Sequence, residues 1–85
     1  MRILGQIDHP VLKITVMHLS DKYVLKIENA LLEQTYKIRE ADEVRGLKDV
    51  SKLVDEPFLK ECIERFHAMN TSLFDSFKRN MDWNP

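Results

Sequence analysis

Four side chains in this sequence are of the kinds that hold a transition metal: His9, His18, His67 and Cys62. A metal site needs such ligands close together, commonly within one helical turn or one tight loop. The nearest pair, Cys62 and His67, is five positions apart, which is well over ~100° around a helix. Neither a CxxC nor an HxxxH spacing occurs. The sequence therefore predicts no metal and no cofactor. A thiol nucleophile needs a base or a positive neighbour to form the thiolate. Spacing offers Cys62 neither, and its place in an apolar arc reads as a small core residue. The carboxylates Asp42, Glu43, Asp55, Glu56, Glu61 and Glu64 are not followed by the glycine-containing calcium-loop pattern. Two glycines in the whole chain cannot build a phosphate-cradling loop. No catalytic constellation emerges, and the expectation is a protein that is not an enzyme.

One polar group remains conspicuous. Gln34 falls between Leu32 and Tyr36 on the inward face of a strand. A buried amide left without partners costs on the order of 1–3 kcal/mol. Either Gln34 bonds a backbone group or Asn70, or it lines a small polar pocket between sheet and helix together with Tyr36 and His18. His18 ends the first long strand on its inner face, at the rim of the core beside Tyr23.

Composition narrows the setting. The chain has 85 residues, enough for one domain and one core. Thirteen basic residues face fourteen acidic ones, for a net charge of −1. A non-specific nucleic-acid binder needs a basic excess to displace counterions from phosphates, so no nucleic-acid partner is expected. With one cysteine there is no internal disulfide. The first ten residues lack the apolar core of a signal peptide, and no run approaches the ~20 apolar residues of a membrane span. The reading is a cytoplasmic, complete short gene product without a membrane partner.

The elements that position these residues follow from periodicity. Residues 11–39 alternate apolar and polar with period two, which places successive side chains on opposite faces of strands. One face carries Leu12, Ile14, Val16, Leu25, Ile27, Leu32, Tyr36 and Ile38. The other carries Lys13, Thr15, Lys26, Glu28, Glu33, Thr35 and Lys37. Cross-strand ion pairs are expected among Lys13, Lys26, Lys37, Glu28 and Glu33. Ser20-Asp21-Lys22 and Asn29-Ala30 supply the turns. Met1 to Ile7 is a candidate fourth strand, turned by Asp8-His9-Pro10.

From residue 40 the period becomes helical, with Val44, Leu47, Val50, Leu53 and Val54 marking an irregular link and a short helix over about 47–54. Asp55 or Glu56 caps a long helix, with Pro57 in its first turn. Glu61 and Arg65 form a favourable (i, i+4) pair. Lys78 and Arg79 suit the last turn, and Asn80 suits a left-handed helix end. The fold expected is α+β: a three- to four-stranded antiparallel β-meander (1–39), a link and short helix (40–56), a long amphipathic helix (57–80) packed on one sheet face, and a tail (81–85). Asn70-Thr71-Ser72, with Asp75, resembles a capping box that would start a separate helix. The unshifted apolar phase from Phe66 through Met69 and Leu73 to Phe77 favours one helix.

A helix over 57–80 is ~36 Å long, whereas a seven-residue strand covers ~23 Å. The helix should overhang its sheet by about two turns, and its apolar arc of ~160° is wide for one core. Two readings follow. Either the domain wraps the wide face, or Asn70, Leu73, Phe74, Phe77 and Met81 meet a protein partner, such as a second copy about a two-fold axis. Trp83 in the tail folds back over the sheet, anchors that partner, or frays.

The segments Lys13-Ile14-Thr15, Lys22-Tyr23 and Leu32-Glu33-Gln34-Thr35-Tyr36-Lys37 resemble short uncharacterised bacterial proteins over the sheet half. The resemblance implies a stand-alone small protein and carries no activity or site residue. The functional expectation is a small non-enzymatic protein-interaction module that could form a homodimer. The alternative is a small-ligand-binding or accessory enzyme subunit with a pocket at Gln34, Tyr36 and His18.

Overall fold

A computed structural model describes residues 1–81. The remaining tail, including the partner-contact candidate Trp83, lies outside the described residues. Alternation and turn chemistry produce four strands: β1 (Arg2–Ile7), β2 (Lys13–Leu19), β3 (Lys22–Glu28) and β4 (Glu33–Arg39). They form one antiparallel sheet in the order β1-β2-β3-β4. Two helices follow, α1 (Leu47–Leu53) and α2 (Glu56–Asn80). The fold is the α+β meander with a short and a long helix that periodicity predicts, and Met1–Ile7 supplies the fourth strand.

The register sorts the faces. Ile14, Ile27 and Gln34 lie in one row, Val16, Leu25 and Tyr36 in the next, and His18, Tyr23 and Ile38 in the third. These rows and the helices enclose a core of Leu12, Ile14, Val16, Tyr23, Leu25, Ile27, Val50, Cys62 and Phe66. Fully burying a side chain such as Ile14, Leu25 or Ile27 stabilises the fold by roughly 1.5–3 kcal/mol.

β1 joins the sheet through an irregularity between Ile3 and Gly5. Ile3 pairs with Met17 on the outer face, whereas Gly5 pairs with Val16 and Ile7 with Ile14 on the inner one. The extra residue, Leu4, packs against the core, and the bulge turns Ile3 outward. Gly5 also admits α1, because a Cβ there would sit 2.8 Å from Leu47 Cδ2.

The link places Val44 in a single bridge with Ala41, before the helix begins. Gly46 then precedes α1 at φ 109°, a conformation that favours glycine. Within α1, Val50 is fully buried, but Leu53 remains exposed. Asp55, rather than Glu56, caps α2, accepting from Phe58 N at 3.0 Å.

α2 continues without a break through Asn70-Thr71-Ser72. Its end corrects one expectation: Asn80 is not left-handed. Its side-chain amide instead donates to Ser76 O at 2.9 Å, which satisfies a terminal carbonyl from within the helix. Glu61 and Arg65 form the expected (i, i+4) pair at 3.9 Å.

Gly46→Ala should destabilise the fold by roughly 1–2 kcal/mol, since an alanine must adopt a positive φ. Urea denaturation reads this as a lower midpoint, and an unchanged midpoint would show that the backbone at Gly46 can relax without cost.

Candidate functional site

Gln34 is buried, and both its polar atoms are hydrogen-bonded. Its Nε2 donates to Cys62 O at 2.8 Å, and its Oε1 accepts from Tyr36 Oη at 2.7 Å and from Arg65 Nε at 3.1 Å. Arg65 Nη2 also approaches Cys62 Sγ at 3.4 Å, and the guanidinium lies 5.9 Å over the Phe58 ring. Phe58 meets Tyr36 edge-on at 5.3 Å. The cluster therefore pins the first half of α2 to β4. Burial, followed by contact with Cys62, raises the Tyr36 hydroxyl above its ordinary value of 10.0, with Arg65 opposing the shift. The hydrogen bond to Cys62 raises Arg65, against a lowering by burial.

His18 does not join this cluster. It stacks obliquely on Tyr23 at 4.9 Å, at the other end of the sheet. Its row ends at Ile38 on β4, four residues from Gln34, or ~13 Å along the strand. There Tyr23 Oη donates to Glu40 Oε1 at 2.9 Å. His18 Nε2 faces the same oxygen at 3.5 Å without hydrogen-bond geometry. Burial and then Glu40 raise the Tyr23 hydroxyl as well. Of the three pocket candidates, the structure joins Gln34 and Tyr36 and sets His18 apart. Periodicity alone does not reveal Arg65, whose long side chain reaches back from an exposed helix position.

A second region forms where α2 leaves the sheet. The helix side chains that pack against the core run from Phe58 to Met69. Beyond them, Asn70 is exposed, Leu73 is 49% exposed, Phe74 and Phe77 are half-buried, and Met81 is 60% exposed. The molecule is correspondingly long, 50 × 26 × 17 Å, with a radius of gyration of 15.6 Å. A compact domain of this length would have ~12 Å.

Under the departing helix lies a shallow groove of about 400 Å³. Ile63, Phe66, His67 and Asn70 form one wall, and Val11, Leu12, Leu31 and Leu32 form the other. Two turns hold that second wall in place. His9 Nδ1 accepts from Val11 N and Leu12 N at 3.2 and 3.1 Å. Asn29 Oδ1 accepts from Leu31 N and Leu32 N at 3.1 and 2.8 Å. Each turn satisfies its own amides and presents an apolar side chain outward: Val11 is 72% exposed and Leu31 89%. Asn29 was legible as a turn former, whereas a histidine serving as a turn acceptor carries no sequence signal.

No protein-family model, curated protein or solved structure matches the chain. No helix among the described residues is long and apolar enough to cross a membrane.

Two outcomes test the Gln34 cluster. Gln34→Ala should cost roughly 1–3 kcal/mol, because Tyr36 and Arg65 lose a shared acceptor; a loss under ~0.5 kcal/mol would mean that water replaces the amide. Both tyrosines are raised in the folded state, so their neutral forms favour folding. Their contribution is fully present below pH 10.0 and is lost as pH rises through the folded values. The urea midpoint should fall in that alkaline range, with a shallower fall in Tyr36→Phe, and an identical slope in the variant would refute the assignment.

Proposed function

We propose that this chain is a non-enzymatic, cytoplasmic protein-interaction module that pairs with a second copy of itself through α2. The observation that carries the reading is the overhang. Eleven helical residues, Asn70–Asn80, follow Met69, the last residue of α2 that packs against the core cluster among the described residues, which is ~16 Å of helix. That segment continues directly from the apolar groove. Ile63, Asn70, Phe77 and Met81 fall within a ~40° sector at ~100° per residue, so groove and overhang share one face.

Self-complementarity supports a second copy as the occupant. In an antiparallel pairing centred on Asn70, Ile63 of one copy faces Phe77 of the other. Asn70 meets its own symmetry mate, and a single polar residue in such a seam fixes register at some cost in stability. An isologous two-fold contact of this kind is the commonest oligomer geometry. The reading of a binding module rather than an enzyme is supported by the polar groups at the helix–sheet contact, which satisfy one another instead of facing a ligand.

Sedimentation velocity at micromolar concentration should show a dimer. Ile63→Asp and Leu73→Asp should weaken association about tenfold to a hundredfold, with circular dichroism unchanged. A chain that sediments as a monomer across the micromolar range would remove the reading, as would dimers indifferent to both substitutions.

A further inference from the structure

The sheet face turned away from the helices is unevenly charged. Its cations are Lys13, Lys22, Lys26, Lys37 and Arg39, and its anions are Glu28 and Glu33. The expected ion pairing is confined to one half. Lys26 lies 3.5 Å from Glu28 Oε1 and 3.8 Å from Glu33 Oε1.

At the other end, Lys22 and Arg39 stand directly opposite each other on β3 and β4, with Lys37 two residues before Arg39 on the same face. None of these three cations has a carboxylate within salt-bridge distance among the described residues. Like charges directly opposite one another destabilise an antiparallel pair. Folding alone therefore does not account for the Lys22–Arg39 pair.

Apolar ground adjoins the cations. The bulge in β1 turns Ile3 outward, where it is 68% exposed and pairs with Met17. Met17 in turn pairs with Val24, and Val24 with Lys37. One row thus crosses all four strands and ends at a lysine; Val24 in it is buried, so its accessible apolar side chains are Ile3 and the half-buried Met17.

We propose that this end of the outer sheet face docks a segment of a partner protein that carries carboxylates beside apolar side chains. Lys22, Lys37 and Arg39 attract and orient the carboxylates, and the exposed Ile3 with the half-buried Met17 beside it takes an apolar side chain. A carboxylate seated between Lys22 and Arg39 also relieves their mutual repulsion, so the bound sheet is better compensated than the free one. The complementary charge selects an acidic protein segment over nucleic acid. The whole chain is net negative, and the two tyrosines of the sheet lie on its inner face, so no ring stands among these cations to stack a base. This surface is independent of α2 and of pairing through it.

The test uses the full chain and a fluorescently labelled synthetic peptide of alternating glutamate and leucine, followed by anisotropy. Binding should weaken as salt is raised. Lys22→Glu should lower affinity about tenfold or more, while the melting temperature holds or rises, because the new carboxylate faces Arg39. Lys37→Glu should also lower affinity, and it places no new charge opposite another. Lys48→Glu in α1 makes the same change in net charge within the helix layer and should leave affinity unchanged. The proposal is overturned if the peptide does not bind at low salt, if Lys22→Glu and Lys37→Glu bind it as the parent does, or if Lys48→Glu weakens it equally. Tighter binding of duplex DNA than of the peptide would also overturn it.

Discussion

The strands of the central sheet are at most seven residues long, about 23 Å, while α2 runs for 25 residues, about 37 Å. A helix bound to such a sheet can be held over only part of its length. Here the held part is the first half, and the hydrogen bond from Gln34 to the carbonyl of Cys62 fixes where it lies. Hydrophobic packing alone is weakly directional, so Phe58, Cys62 and Phe66 would accept several small rotations of the helix. The amide does not, because it must meet one particular carbonyl while its oxygen receives Tyr36 and Arg65. Once that bond is made, the helix axis is set and the position of its C-terminal end follows.

The same constraint explains the groove. Since α2 departs at the end of the sheet, the two turns at that end become the floor beneath it. His9 and Asn29 hold those turns by accepting backbone amides, and so they decide that Val11 and Leu31 face outward. On the opposite edge of the domain, Gly5 lets Leu47 close over β1. The bulge beside it divides Ile3 from Ile7 between the two sheet faces. Local backbone devices thus determine which apolar side chains enter the core and which remain outside it.

How much of this was legible depends on the length scale of the signal. The alternation in residues 11–39 places Ile14, Leu25 and Ile27 inside and Lys26 and Glu28 outside, because period two leaves no other assignment once one face is buried. The phase from Phe58 to Phe77 likewise carries the long helix through Asn70-Thr71-Ser72, despite the capping-box resemblance. Single-residue devices escape such reasoning. A bulge at Leu4 breaks periodicity by one position within a six-residue strand, too short for the break to be read. Asn80 was read for its backbone preference, but its side chain found Ser76 O first. Lys37 was assigned an ion pair from its face alone, although its cross-strand neighbour is Val24. At the candidate sites, Leu73 and Met81 were legible from the length mismatch. Val11 and Leu31 were not, since their exposure is settled by hydrogen bonds within turns.

The two proposed surfaces lie at opposite ends and on opposite sides of one sheet. The groove and overhang begin at the turns around residues 8–12 and 29–32, on the helix side. The cations cluster at the β2–β3 turn, on the bare side. Engagement of one therefore does not obstruct the other. Antiparallel pairing through the overhangs would leave both bare faces of the dimer accessible, each with its own Lys22–Arg39 pair. A partner carrying two acidic segments could then be held at both, and its second contact would form at an effective concentration set by the linker between them. Under that geometry the overhang contributes to the outer surface as well, because weak sites become useful when a rigid scaffold presents them in pairs. If the chains pair in that way, the helix that exceeds its sheet would convert one marginal cationic face into a bivalent one.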